Sequence, residues 1–135
     1  MKAIVVLLCA VLGVVLAQLP PDEKAFLKNV HDSCQANPAT YADESKLKKL
    51  SQYIDDRVVG THMLCMSQKA GLQKSNGDLD IGVIKQKIAL VTADKSKVDG
   101  LVKTCAVVNG GPEKTANLLW LCFVKNNIDY LHRLQ

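Results

Sequence analysis

The sequence predicts an all-α fold of about six helices packed into a single domain. Apolar residues recur every three or four positions in segment after segment, which is the period of a helix that buries one face. No run of more than a few residues alternates with the period of two that a half-buried strand shows. Of the 135 residues, 118 follow the first seventeen, enough for one domain with one core.

The first seventeen residues have the pattern of a secretory signal peptide. A lysine precedes the apolar run AIVVLLCAVLGVVL, and Val15 and Ala17 are small residues that suit cleavage after position 17. The alternative is a membrane anchor, which needs roughly 20 apolar residues, whereas this run has about fifteen. We therefore predict a signal peptide over 1–17 and a secreted domain over 18–135, with no membrane insertion, and Cys9 is lost with the signal.

The first half of the domain contains three helical segments. PPDEKAFLKNVHDSC begins with prolines and acidic residues, which favour a helix start, and it carries Phe26, Leu27 and Val30 at helical spacing. After the loop QANPATYAD, DESKLKKLSQYI forms a short amphipathic segment. DDRVVGTHMLCMSQKAG follows as a helix with a broad apolar face, for which Gly71 is the predicted C-terminal cap.

The second half contains three more helical segments. The Asn76-Gly77 turn has helical patterns on both sides, so we do not interpret it as a β-hairpin. Two segments then carry one apolar stripe each, formed by Ile81, Ile84, Ile88 and Val91 and by Val98, Leu101, Val102 and Cys105. After the break NGGP, the segment from about Glu113 is apolar around most of its circumference, which predicts a helix buried on several sides.

Charge and short motifs argue against nucleic acid and against catalysis. Sixteen basic and thirteen acidic residues are mixed along 18–135, without a basic block. Residues 30–34, VHDSC, resemble the catalytic histidine segment of secreted phospholipases A2, but the calcium loop and the cysteine pair of those enzymes are missing. Asp78 and Asp80 begin a calcium-loop pattern that fails at its later positions. We predict no enzymatic activity, no metal and no cofactor.

Four cysteines remain after the signal peptide: Cys34, Cys65, Cys105 and Cys122. An even number in a secreted chain indicates two disulfides, for which three connectivities are open. His62 lies three residues before Cys65, but a disulfide at Cys65 would exclude a catalytic cysteine–histidine pair. Zinc is the competing interpretation, and the wide spacing of the cysteines and histidines argues against it.

The cysteine spacing resembles that of the insect odorant-binding and pheromone-binding protein family. In order, 30, 39 and 16 residues separate the four cysteines. The family usually has six, one of them four positions before the third and another nine before the sixth, and these positions correspond to Thr61 and Glu113 here. Because both are absent together, the pattern is similar to the four-cysteine, or minus-C, branch, which includes haemolymph, accessory-gland and antennal carriers.

The resemblance implies disulfides Cys34–Cys65 and Cys105–Cys122 and an internal hydrophobic cavity between the helices. It implies a carrier of small hydrophobic molecules such as odorants, pheromones or fatty acids, in sensillar lymph, haemolymph or a gland secretion. A chemoreceptor or a homodimer is a further expected partner. Cys105 lies about five residues before the NGGP break and Cys122 about ten after it, so this link must be extended or the helices must cross steeply.

The candidate cavity residues are inferred from helix faces. Six aromatic residues among many aliphatic ones, with two flexible methionines, suit an adaptable pocket. The expected wall is Phe26, Val30, Val59, Met63, Met66, Ile84, Ile88, Leu101, Leu119, Trp120 and Phe123. The alternative is a close-packed core in a secreted, non-catalytic interaction protein without a ligand cavity.

Two further features bear on how a ligand would be held. The C-terminal tail is short, and we expect Tyr130 or Leu131 in it to close the mouth of the cavity. His31, His62 and His132 are candidates for ligand release at acidic pH, and solvated or core histidines are the alternative.

Overall fold

The computed structural model describes residues 19–131, and within them helices joined by loops make up the fold, without strands. The six α-helices are α1 (Pro21–Ala36), α2 (Glu44–Leu47), α3 (Arg57–Lys69), α4 (Ile81–Leu90), α5 (Val98–Cys105) and α6 (Pro112–Lys125). Short 3₁₀ segments cover Leu50–Gln52 and Lys95–Lys97. The predicted all-α class and the six helices are confirmed. The predicted signal peptide, with Cys9, and His132 lie outside the described residues.

The helix ends follow the capping chemistry of the sequence. The Asp56 carboxylate accepts hydrogen bonds from the backbone N–H groups of Val58 and Val59 at 2.9 and 3.0 Å, which satisfies donors that α3 itself cannot pair. Gly71 follows α3 with φ of +84°, the left-handed conformation that a C-terminal cap requires. The Asn76-Gly77 turn supports one isolated antiparallel bridge between Gln73 and Leu79 and no hairpin.

Helix α6 packs against α3, α5 and the first 3₁₀ segment. Seven of its residues are buried, namely Thr115, Ala116, Asn117, Leu119, Trp120, Leu121 and Phe123. The Trp120 indole N–H donates to Ser67 Oγ on α3 at 2.6 Å, and the Asn117 side chain donates to the Ile54 carbonyl at 2.9 Å. The prediction of a final helix buried on several sides is confirmed.

Two disulfides hold the helices in register, and both match the predicted pairs. Cys34–Cys65 joins α1 to α3 with a Cα–Cα distance of 6.1 Å, and Cys105–Cys122 joins α5 to α6 at 5.4 Å. Residues 106–109 have no helical structure and Gly111 is extended, so an extended link accommodates the unequal positions of the second pair. Rings of this size stabilise a folded chain by roughly 3 to 4 kcal/mol each.

Helix α3 comes unusually close to α6 at Gly60. A Cβ atom added at this position would lie 2.9 Å from the Cβ of Glu113, closer than carbon atoms normally approach. Because the Glu113 Cβ is attached directly to the α6 backbone, it cannot rotate away. The absence of a side chain at Gly60 therefore permits the close packing of the two helices.

Gly60→Ala is expected to lower the free energy of unfolding by about 1 to 3 kcal/mol, because α3 and α6 must move apart. The matched control is Gly100→Ala in α5, where nothing in the described part of the chain lies within 4 Å of the added Cβ. That control should be neutral or gain up to about 1 kcal/mol from helix propensity. Urea unfolding of both variants and of the natural chain tests the prediction. A free energy of unfolding for Gly60→Ala equal to that of the natural chain would contradict it.

Candidate binding cavity

A cavity of about 740 Å³ lies between α3 and α6, and α1, α2, the 3₁₀ segment after α2 and Leu131 form the rest of its wall. Its volume falls within the range of small-molecule sites, roughly 300 to 1,000 Å³. The wall is mostly apolar and part of the cavity opens to solvent. Its residues are His31, Leu47, Lys48, Leu50, Ser51, His62, Met63, Met66, Trp120, Leu121, Val124, Lys125 and Leu131.

Three of the eleven predicted cavity residues, Met63, Met66 and Trp120, line this wall. Six others are buried in the core outside it: Val30, Val59, Ile84, Ile88, Leu119 and Phe123. Leu101 is half-buried against the core. Phe26 is 39% exposed, with the Lys87 ammonium 5.7 Å from its ring centre. Ligand contact by any of the eleven stays a prediction.

Apart from Leu131, which was expected at the cavity mouth, the remaining wall residues were not among the predicted wall residues, for different reasons. Leu47 and Leu50 belong to the amphipathic segment after the first loop, so their apolar stripe gave a usable signal. Leu121 and Val124 lie on a helix that is apolar nearly all round, where periodicity does not single out one face. No local pattern indicated that His31 and His62 share the wall, because their contact is tertiary.

The two histidines meet beside the first disulfide. His31 precedes Cys34 by one helical turn and His62 precedes Cys65 by one turn, so the bridge brings both imidazoles together. Their ring centres are 5.4 Å apart in an edge-to-face arrangement. Only 5% of His31 and none of His62 is exposed. The pair is thus a buried polar group in a mostly apolar wall.

The loop after α1 and the first residue of α2 supply the hydrogen-bond partners of this pair. Glu44 Oε1 lies 2.7 Å from His31 Nε2, and the Thr40 carbonyl lies 2.9 Å from His62 Nδ1. Gln35 fixes the loop by exchanging two hydrogen bonds with the Ala42 backbone, at 2.7 and 2.9 Å. The loop is therefore held in the conformation that both imidazoles need.

The buried imidazole of His62 favours the neutral form. Burial lowers the pKa of His62 from its ordinary value of 6.5, against the opposing effects of the Thr40 carbonyl and of Glu44. Burial raises the pKa of Glu44, but hydrogen bonds from Gln35 and His31 outweigh it and the net pKa is lowered. Glu44 is therefore a carboxylate beside two imidazoles at neutral pH.

The tail after α6 packs back onto the helices. Tyr130 is fully buried, its hydroxyl donates to Glu23 on α1 at 2.9 Å, and its ring stacks on Trp120 with centres 6.3 Å apart. Lys87 on α4 bonds the other oxygen of Glu23 at 2.7 Å. Burial, followed by the Glu23 contact, raises the pKa of Tyr130. Tyr130 thus anchors the tail, and the next residue, Leu131, lies in the cavity wall.

Lowering the pH from 7.5 to 5 is expected to destabilise the fold through His62. The unfolded chain binds a proton at His62 near pH 6.5, whereas the folded chain binds it only at lower pH. The contribution of a neutral His62 to the free energy of unfolding is therefore fully present above pH 6.5 and is lost as the pH falls below that value. One such proton contributes at most about 1.4 kcal/mol per pH unit. Chemical unfolding between pH 7.5 and 5 should show that the free energy of unfolding falls more steeply with decreasing pH for the natural chain than for His62→Asn. His31 is common to both proteins, and parallel curves would contradict the prediction.

These features define a class of protein before they define a family. A disulfide-bonded helical domain with an apolar cavity has the construction of a small-molecule binding protein. Within residues 19–131 no cluster of side chains is suited to hold a metal ion, and no helix has both the length and the apolar character needed to cross a membrane.

The chain matches the PBP/GOBP family, that of insect pheromone- and odorant-binding proteins, over residues 16–126, and it belongs to that family. Family members are secreted proteins that bind small hydrophobic ligands. The chain is 21% identical to the B1 protein and 23% identical to the B2 protein of Tenebrio molitor. Each comparison covers 89% of this chain, and they cover 92% and 94% of those relatives. No solved structure matches the chain significantly.

Proposed function

We propose that this protein is a secreted, non-catalytic carrier that holds a small hydrophobic molecule in the cavity between α3 and α6. The cavity itself is the observation that carries the proposal, since about 740 Å³ of mostly apolar space lies beside the core. A ligand that buries its apolar surface there gains about 25 cal/mol per Å². This space also argues against the rival function, an interaction protein with a solid core.

The wall is built to accept varied apolar ligands. Met63 and Met66 present flexible, polarisable side chains, and Leu47 on the short helix α2 is only half-buried. Lys48 and Lys125 are exposed members of the wall, so they place positive charge where the cavity meets solvent. We propose Met63, Met66 and Trp120 as ligand contacts, with the other predicted residues supporting them. A chemoreceptor or a second copy of the chain stays a predicted further partner.

Binding of a polarity-sensitive naphthylamine probe, displaced by long-chain alcohols or fatty acids, tests the carrier function. Leu47→Trp adds a large side chain to the wall and should weaken probe binding by about tenfold or more, because it fills space that the ligand needs. Val108→Trp, at a position 70% exposed and outside the wall, is the matched control and should bind normally. The probe is excited beyond tryptophan absorption. Absence of probe binding by the natural chain would favour the solid-core rival.

We further propose that the chain is a four-cysteine member of its family. Thr61 on α3 and Glu113 on α6 line the same second, smaller cleft, so the two positions without cysteine adjoin one surface feature. The close approach of Gly60 to Glu113 lies beside them. Without a bridge there, α3 is less firmly tied to the first turn of α6, and the cavity between these helices is more deformable.

Restoring both cysteines, as Thr61→Cys with Glu113→Cys, should form a third disulfide. The ring is worth about 4 kcal/mol before any strain, so under oxidising conditions this variant should melt at a higher temperature than Thr61→Ser with Glu113→Ser, which keeps the two natural disulfides. A more rigid cavity should also accept a narrower range of chain lengths. Thr61→Ser with Glu113→Ser controls for the lost side chains. If the cysteine variant and the serine control have the same melting temperature and the same ligand range, the missing bridge does not explain the breadth of binding.

A further inference from the structure

We propose that Nε2 of His62 is the polar anchor of the cavity and that it selects ligands with a hydroxyl donor, such as long-chain alcohols. Ethers and esters of the same size, which only accept hydrogen bonds, should bind less well. The inference rests on the proposed carrier function and adds the chemical class of the ligand headgroup.

The hydrogen bond to Thr40 determines which ring nitrogen of His62 carries the proton. A backbone carbonyl oxygen only accepts, so Nδ1, at 2.9 Å from it, must be the donor. In a neutral imidazole the other nitrogen then has a free lone pair and acts as an acceptor. His62 therefore offers Nε2 as an acceptor.

That acceptor is buried and unused. Nε2 has no hydrogen-bond partner among residues 19–131, although the residue has no exposed surface and lines the cavity. The neighbouring His31 directs its own Nε2 to Glu44 at 2.7 Å. An unpaired buried acceptor costs free energy, and a ligand that supplies a donor recovers it. A site built around a buried polar group discriminates strongly against analogues that leave it unpaired.

The chemistry of the ligand headgroup determines which ligands gain affinity from a hydrogen bond to Nε2 of His62. An alcohol donates its O–H to Nε2 while its chain lies against the thioethers of Met63 and Met66. An ether or ester oxygen has no proton to give, so Nε2 stays unpaired when such a ligand enters. A carboxylate also lacks a donor, and its charge is better placed near Lys48 and Lys125. Fatty acids should therefore bind with little dependence on His62.

The test compares dissociation constants for dodecan-1-ol, 1-methoxyundecane and dodecanoate, measured by probe displacement at pH 7.5. The alcohol and the ether have the same number of heavy atoms and differ in the donor. The variant is His62→Asn, whose amide can still donate to Thr40 but has no atom at the Nε2 position. Val108→Asn, the same new side chain at an exposed position outside the wall, is the matched control.

In the natural chain the alcohol should bind about tenfold more tightly than the ether. His62→Asn should remove this preference and Val108→Asn should keep it, and the affinity for dodecanoate should fall less on His62→Asn than the affinity for dodecan-1-ol. Equal binding of alcohol and ether by the natural chain overturns the anchor while leaving the carrier function intact. Failure of all three compounds to bind overturns the carrier function itself.

Nitrogen NMR of the natural chain gives a second readout that needs no variant. The Nε2 resonance of His62 should move on addition of dodecan-1-ol and should stay in place with 1-methoxyundecane, because only the alcohol donates to it. If the alcohol binds and the Nε2 resonance does not respond, the anchor is wrong, even where His62→Asn fails to fold.

Discussion

The disulfide between Cys34 and Cys65 is the constraint on which the candidate site depends. It holds the Cα atom of Cys34 on α1 and that of Cys65 on α3 6.1 Å apart. The residues one turn before each cysteine are the two histidines of the cavity wall. The Thr40 hydroxyl donates to the Cys34 carbonyl at 2.6 Å, which ties the loop after α1 to the end of that helix. The same loop then presents the Thr40 carbonyl to His62. One covalent bond thus positions the wall, its polar groups and their partners.

Helix α6 divides the molecule into a filled side and an open side. Ala116, Leu119 and Phe123 are fully or almost fully buried in the core, whereas Trp120, Leu121 and Val124 line the cavity. The second disulfide and the Trp120–Ser67 hydrogen bond hold this helix against α5 and α3. The tail extends the arrangement, since Tyr130 stacks on Trp120 and leaves Leu131 in the wall. The shape of the cavity therefore depends on the disulfide, the hydrogen bond and the ring stacking that hold α6 against its neighbours.

The helices and the disulfides could be predicted from the sequence, whereas the cavity wall could not. Helical periodicity reports which side chains are buried, and Ile84, Ile88 and Met63 satisfy it equally well. Whether a buried face meets another side chain or an open space depends on the facing helix, which no local pattern contains. Phe26 shows a related difficulty, because its neighbour Leu27 takes the core position and leaves Phe26 partly exposed.

The hydrogen-bond partners of the two histidines could not be predicted from local sequence patterns either, because these contacts are also tertiary. Glu44 lies 13 positions from His31, and Thr40 lies 22 positions from His62, so neither contact has a helical signature. The disulfide pairing came from the resemblance in cysteine spacing, since four cysteines alone leave three pairings open. Long-range contacts became predictable where a family pattern supplied them and stayed unpredictable where only local periodicity was available.

Methionine methyl NMR tests most directly whether the cavity is the ligand site. Met63 and Met66 are the two methionines of residues 18–135, and both line the wall, so the methionine methyl spectrum of a protein consisting of residues 18–135 reports on the cavity alone. A saturating long-chain alcohol should shift both methyl resonances, along the same binding curve as probe displacement. Displacement of the probe with both methyl resonances unmoved would show that the ligand binds elsewhere, and would contradict a carrier function based on this cavity.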